Sequence, residues 1–478
     1  MEDGLPDRLT RTGAPPKTGI VHLGPGAFFR AFHAIYTDEA MERAGGDWGI
    51  LAVSLKSPTA RDQLVPQGGA YTSLTLSEAG NESRIITSVT DVLVAPEDPG
   101  AVVAAIADPA VKIVSLTVTE KGYCHEPSTG TLNFDHPDIQ HDLVRLDAPK
   151  SAVGFVVSAL QQRMKTGDKA FTVLSCDNLP SNGALVRGIV LEFAARISPD
   201  LANWIAANAT FPATMVDRIT PATTEADVEA LAVSKGYHDP ACVVHEAFRQ
   251  WVIEDNFADG RPAWDRVGAQ MVASVEAHEL MKLRCLNGTH STLAYLGYLA
   301  GHETIADCMR DAAFVALCEK LWHSEITPVI AEPDGEDLKG YCAKLLARYR
   351  DAAIRHRTWQ IAMDGSQKLP QRILGTIRDN LDRGVVPTGL CLAVAGWMRY
   401  VGGVDETGEP IDVRDPLAER LKHVSDGGGE KVNAFLSIGD VFGEDLPEND
   451  TFRATVAAAY DKIERMGARA AVEAFVSE

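Results

Sequence analysis

GIVHLGPGAFFRAFH, residues 19–33, joins a short apolar run to a helical pattern through Gly24-Pro25-Gly26. A strand, a tight turn and a helix in that order form the opening unit of a dinucleotide-binding α/β domain. Glycine is needed there so that the backbone can turn sharply and approach a pyrophosphate, which then rests on the helix N-terminus. The third glycine of the usual fingerprint would fall at position 29, where this chain has Phe29. Taken alone, the turn fits an ordinary strand-to-helix connection equally well. Its place after the first strand of an alternating pattern favours cofactor binding.

That alternation continues along the chain. WGILAVSL (48–55) reads as a second strand, and 71–76 and 84–94 alternate in a β manner. PGAVVAAIADPA, with proline near its start, reads as a helix leading into the buried strand VKIVSLTVT (111–119). SAVGFVVSALQQRMKTG reads as another, leading to FTVLSCDN (171–178). Strands alternating with helices imply a largely parallel, doubly wound sheet. After about Val275 the pattern becomes helical throughout, from ELMKLRCLNGTHSTLAYLGYL to TFRATVAAAYDKIERMGARAAVEAF. The expected fold class is α/β: a Rossmann-type doubly wound sheet domain over 1–277, then a mostly α-helical C-terminal domain over 278–478. A chain of 478 residues exceeds the size at which one core keeps growing, which agrees with two domains. Asp426-Gly427-Gly428-Gly429 reads as a surface loop.

The composition, 45% apolar and 23% charged, is that of a soluble globular protein. Its 66 acidic and 45 basic residues leave a formal charge of −21, which repels nucleic acid and anionic membranes, so neither is an expected partner. An anionic substrate would need local cations against that background. MEDGLPDRLTRTGAPPKTG has no apolar core and does not read as a secretory signal. The longest apolar run, 390–398, is too short to span a bilayer. Eight scattered cysteines without a CxxC pair argue against a disulfide framework or a cysteine zinc site, and HExxH is absent. A cytoplasmic, metal-free enzyme is expected.

Lys282, Asn287 and His290 fall within MKLRCLNGTH. A helical lysine is ordinarily solvated, but on a helix of 100° per residue these three spread over roughly 140° and share one broad flank. A lysine drawn out of water titrates nearer neutrality and can both accept and donate a proton. Gly288 weakens the same helix by about 1 kcal/mol against alanine, which a close approach by another element or a ligand would explain. Asn178 ends the strand VLSCDN, where carboxyl ends of strands face a ligand crevice. Asp217, in FPATMVDRITP, can fix a substrate hydroxyl, or pair with Arg218. Lys368 and Arg372 flank Pro370, read as a helix start whose free N–H groups and two cations would make an anion pocket. No carboxylate follows the second strand until Asp62, and Lys56 in that place could take a 2′-phosphate, so the residues leave NAD and NADP both open.

HLGPGAFFRAFH, SLTVTEKGY, SCDNLPSNG, FPATMVDRITPAT and MKLRCLNGTH together resemble the polyol-specific long-chain dehydrogenases, the mannitol dehydrogenase family, over nearly the whole chain. TVTEKGYC, QWVIEDNF, MDGSQKLPQR and VAGWMRY are most similar to its fructuronate-reducing branch. The resemblance implies a zinc-independent, often monomeric oxidoreductase using NAD, acting on a sugar acid or polyol. The activity implied is reversible reduction of D-fructuronate to D-mannonate, with mannitol/fructose and tagaturonate as alternatives. It implies Lys282 as general acid-base, Asn178 and Asn287 on the reacting oxygen, His290 and Asp217 on substrate hydroxyls, and Glu120 and Glu279 in proton exchange. Cofactor contacts are expected from Gly24, Gly26, Ala27, Phe28 and Arg30 on the turn and helix, and from Thr117 and Thr119 at the end of the 111–119 strand. The chain has Phe28-Phe29-Arg30-Ala31-Phe32-His33 where relatives commonly show FHRAH. A dinucleotide sensor without turnover is the reading from another class. It would need only the glycine turn, and retention of Lys282, Asn287 and His290 argues against it.

Overall fold

The computed structural model describes residues 6–77, 80–126, 129–427 and 429–478. Gly428 of the expected 426–429 loop, and the first five residues, lie outside them. The chain divides into two compact units, Met1–Glu276 and Ala277–Glu478.

The first unit holds the strands β1 (Thr18–Leu23), β2 (Gly49–Ser54), β3 (Tyr71–Leu76), β4 (Glu82–Ile86), β5 (Val89–Val94), β6 (Ile113–Leu116), β7 (Thr172–Ser175), β8 (Thr214–Asp217), β9 (Val243–Glu246), β10 (Gln250–Glu254) and β11 (Gln270–Val272). Five of them make one parallel sheet in the order β5-β2-β1-β6-β7. Numbered within the sheet this is 3-2-1-4-5, the Rossmann order, with the switch in direction between β1 and β6. Both faces are covered, so the strands read as nearly unbroken apolar runs. Ile20 and Ile113 enter the core on one face, while Val21, Leu23, Val114 and Leu116 enter the core on the other. That is the two-residue period of a strand.

Two smaller sheets complete this unit, β4-β3-β9 and β8-β10-β11. The 84–94 stretch is therefore two strands rather than one alternating segment: β4 pairs antiparallel with β3, and β5 joins the main sheet beside β2. The opening helix is likewise broken, into Ala27–Ala31 and His33–Ala44, because Phe32 leaves helical geometry at φ −135°, ψ −84°. The 111–119 strand stops at Leu116, and Thr119 opens a short helix, Thr119–Gly122, from a left-handed φ of 64°.

The named elements of the second unit are all helices, joined by loops that carry two isolated β-bridges among the described residues, Thr304 to Arg357 and Val404 to Pro410, around one core running from Met281 to Phe475. Its apolar 390–398 run is the buried middle of the helix Thr388–Tyr400, which packs against Thr289–Leu299 and Asp450–Met466. Among the described residues no helix is long and apolar enough to cross a membrane. All eight cysteines are buried thiols.

Candidate active site

A cavity of about 390 Å³ opens at the carboxyl ends of β2, β1 and β6, lined among others by Gly24, Gly26, Ser54, Lys56, Thr117 and Thr119. Gly24 sits at φ +95°, and a Cβ there would stand 2.2 Å from the Thr117 carbonyl oxygen. Only glycine allows β1 to turn this close to the end of β6. At Gly26 a Cβ would meet no protein atom within 4 Å, so a side chain would take up cavity space instead. The helix Ala27–Ala31 begins beside it, and the N–H groups of a first turn have no intrahelical partner. These features fit a dinucleotide pyrophosphate.

Phe29, in place of the third glycine, has its own use. Its ring stacks on His22 at 3.8 Å, and both are fully buried. His22 meets Ser115 Oγ through Nδ1 at 2.8 Å and Thr117 Oγ1 through Nε2 at 2.9 Å. Thr117 Oγ1 in turn donates to the Gly24 carbonyl at 2.7 Å. Burial, then the neighbouring His33, holds His22 well below the ordinary imidazole range. A neutral ring thus braces the glycine turn against β6.

Among the described residues lining this cavity there is no carboxylate, and there are two cations, Arg30 and Lys56. Asp62, the first acid after β2, is turned away into an ion pair with Arg61 at 2.9 Å. Arg30 donates to the Ala241 carbonyl at 2.6 Å and spans the turn towards Gly26 O at 3.5 Å. Ala27 and Phe28 were expected at the cofactor but do not line the cavity. Their side chains pack on the core, with Phe28 stacked on Phe32 at 5.1 Å, which leaves their backbone N–H groups as the expected cofactor contacts.

In the helical unit, Lys282 opens a π-helix, Lys282–Gly288, set between Glu276–Met281 and Thr289–Leu299. A π-helix bonds residue i to i+5, so Lys282 and Asn287 stand one above the other instead of spreading along an arc of α-helix. The 140° spread expected from 100° per residue is thereby corrected. Lys282 and His290 are buried, each 7% exposed, and Asn287 is half-buried. Gly288 closes the π-helix where a Cβ would lie 2.7 Å from the Arg372 carbonyl oxygen. The close approach expected of this glycine is present.

Arg372 belongs to a second π-helix, Pro370–Leu374, which continues Gly365–Leu369 and runs on into Gly375–Asp382. Pro370 is therefore inside a helix and not at its start, and the expected pocket of free N–H groups does not form. A proline has no N–H to give, and the helix changes from α to π at this residue. The two cations remain. Lys368 Nζ donates to the carbonyls of Ile361 (3.3 Å) and Met363 (2.5 Å), and Arg372 Nη1 donates to Ser291 Oγ at 3.1 Å. The His290 ring stacks on Tyr349 at 5.0 Å and meets His356 edge-on at 4.6 Å. Burial first, then His356, Arg348, Arg372 and Lys368, push His290 well below the usual imidazole range. Burial, then Arg372, lowers the Lys368 ammonium to about 8. A neutral histidine faced by three cations is an anion-receptive environment in a chain of charge −21.

Each of the other expected residues has its own place within its unit. Asn178 is exposed, three residues past β7, so it follows the strand rather than ending it. Asp217 is the buried last residue of β8. The guanidinium of Arg218 goes to the carbonyls of Ala31 (2.7 Å) and Glu246 (3.1 Å). Glu120 is exposed on the short helix after β6, and Glu279 is half-buried one turn before Lys282. Asp177, Tyr123, His22, His356 and Arg348 were not anticipated. The polar pair Asp177-Asn178 at the end of an apolar strand was the available signal for the first of them. Among the described residues no three His, Cys, Asp or Glu side chains cluster as a metal site would.

Comparison with known proteins covers both units. The family descriptions "Mannitol dehydrogenase Rossmann domain" and "Mannitol dehydrogenase C-terminal domain" match residues 18–266 and 274–464. The chain is 47% identical over 462 residues to D-mannonate oxidoreductase of Escherichia coli K12, covering 95% of each. It is 40% identical to a mannitol 2-dehydrogenase of Aspergillus fumigatus, covering 95% of this chain and 92% of that one. Its fold is similar to a Pseudomonas fluorescens mannitol 2-dehydrogenase solved as a ternary complex with NAD and D-mannitol. That match has a TM-score of 0.87 at 38% identity over 99% of this chain and 97% of the other.

Proposed function

The chain belongs to the mannitol dehydrogenase family, oxidoreductases acting on CH–OH groups, and we propose that its own reaction is the reversible reduction of D-fructuronate to D-mannonate with NAD as coenzyme. The observation that carries the choice of a sugar acid is the trio Arg348, Lys368 and Arg372 facing neutral His290. A neutral polyol needs no such charge, whereas a carboxylate gains charge-assisted hydrogen bonds from it.

A bound nicotinamide supplies or accepts the hydride. The residues do the rest. Lys282, protonated, gives its proton to the substrate oxygen during reduction, and neutral Lys282 removes it in the reverse direction. Asn178 and Asn287 donate to that oxygen as negative charge grows on it. His290 is uncharged and can hold a substrate hydroxyl without competing for the carboxylate, and Asp217 holds another. Lys368 and Arg372 take the carboxylate. Glu120 and Glu279 pass protons to and from solvent. Gly24, Gly26, Thr117 and Thr119 seat the dinucleotide.

Interconversion of mannitol and fructose is the competing reading, favoured by the similarity to mannitol 2-dehydrogenases. Initial rates of NADH oxidation with fructuronate, tagaturonate and fructose decide between them. The highest kcat/KM is expected for fructuronate. Equal or better turnover of fructose would overturn the choice of substrate, and no turnover of any ketose would leave only the sensor.

A further inference from the structure

Of the four non-glycine residues at positive φ among the described residues, three lie in two neighbouring segments: Thr119 (64°) and Cys124 (53°) after β6, and Ser181 (47°) after β7. A β-branched residue such as Thr119 rarely adopts this conformation, and surroundings must hold it there. One side chain does so. Asp177 Oδ2 accepts the Val118 N–H at 2.9 Å, and Oδ1 accepts the Thr119 N–H at 3.1 Å. Oδ2 also accepts the Tyr123 hydroxyl at 2.7 Å, and that hydroxyl meets Ser175 Oγ at 2.7 Å. The backbone of Asp177 is itself anchored, its carbonyl accepting from Asn182 Nδ2 at 3.0 Å and from the Leu179 N–H at 2.9 Å.

The residues held in this way form the β6 side of the cavity, since Thr117, Val118, Thr119 and Gly122 all line it. We infer that Asp177 is a positioning residue of the dinucleotide site, its carboxylate keeping Thr119 left-handed and so fixing the wall that 117–119 presents to the coenzyme. The inference rests on the dinucleotide reading of that cavity. Asp177 reaches the coenzyme only through the loop it clamps. Burial raises its carboxyl above the ordinary range, against the hydrogen bonds from Tyr123, Val118 and Thr119 that pull it down.

NADH titration by fluorescence, on the full chain, tests this without turnover. Asp177→Asn keeps the size but turns an NH2 donor against backbone N–H donors. It is expected to weaken NADH binding about tenfold, the effect of one lost charge-assisted bond, while the melting temperature without coenzyme stays within a few degrees. Glycine adopts φ 64° freely, so in a Thr119→Gly background Asp177→Asn should cost little further affinity. Unchanged binding by Asp177→Asn overturns the inference, as does an equal loss in both backgrounds. Should Asp177→Asn alone fail to fold, the double variant decides. A folded double variant that binds NADH as tightly as Thr119→Gly alone supports the clamp, and one that is unfolded, or that binds more weakly than Thr119→Gly alone, overturns it. A wild type that binds no NADH sinks the dinucleotide reading itself and this inference with it.

Discussion

The Cβ that Gly288 lacks would lie 2.7 Å from the carbonyl oxygen of Arg372. The contact is backbone against backbone, between the π-helices Lys282–Gly288 and Pro370–Leu374. It sets the separation between the segment carrying Lys282 and Asn287 and the segment carrying Lys368 and Arg372. The glycine that weakens one helix is what lets the two come together.

Gly288→Ala tests how tight this crossing is. In an open helix the change would stabilise by about 1 kcal/mol. Here a carbonyl cannot yield as a flexible side chain would, and overpacking costs on the order of 1–3 kcal/mol. A lower urea midpoint is expected, together with a higher KM for the ketose. A raised midpoint would show that the two helices separate easily.

Lys368→Ala is expected to raise KM for fructuronate by about tenfold or more, the loss of one charge-assisted contact, and to leave fructose nearly unaffected. The pH dependence has a definite sign. Lys368 titrates near 8, so KM for fructuronate should climb as pH rises through that value. Between about 8 and the ordinary lysine value of 10.5 the unfolded chain keeps a proton that the folded chain has lost, so this group's contribution to stability rises with pH. Substrate affinity and fold stability should thus move in opposite directions. Parallel KM and denaturation measurements across pH 7–10 would expose any other pattern.

Lys282→Ala removes the proposed proton donor. A fall in kcat of about 10²–10⁴ is expected, the usual contribution of a positioned acid-base group, with NADH affinity unchanged by fluorescence titration. Near-normal kcat would remove Lys282 from the chemistry.

Coenzyme choice should be weakly enforced. Among the described residues the cavity is lined by exposed Lys56 and by no carboxylate that would repel a 2′-phosphate, so NADPH should be accepted beside NADH. Lys56→Glu is expected to raise KM for NADPH about tenfold with a much smaller effect on NADH. Equal effects on both coenzymes would place Lys56 away from the ribose.

Much of this was legible in the residues. β1, β2, β6 and β7 stand where apolar runs end in turn residues, and a cavity lies at the glycine turn. β4 and β5 were merged because two strands separated by only Thr87 and Ser88 alternate like one, and only their partners in different sheets divide them. The π-helices were hidden for a related reason. A 100° period projected onto 276–299 describes its two α-helical ends, and the wider turn between them is set by the crossing at Gly288. Pro370 misled in the same way, since proline marks a helix start only when the preceding turn is absent, and here Gly365–Leu369 supplies it. Asp177 escaped notice because its partners, Val118, Thr119 and Tyr123, lie more than fifty residues away in sequence.

Each π turn holds one residue more than an α-helix would place between the same two ends. Deleting a single residue inside 282–288 would let an ordinary α-helix join the same two ends, so the apolar stripes of Glu276–Met281 and Thr289–Leu299 would keep their phase. His290 would stay stacked on Tyr349, while Asn287, inside the shortened turn, would change its place relative to Lys282. The aim of the polar groups and the seating of the helix in its core therefore answer to different residue counts, and a one-residue deletion in the turn can retune the first while sparing the second.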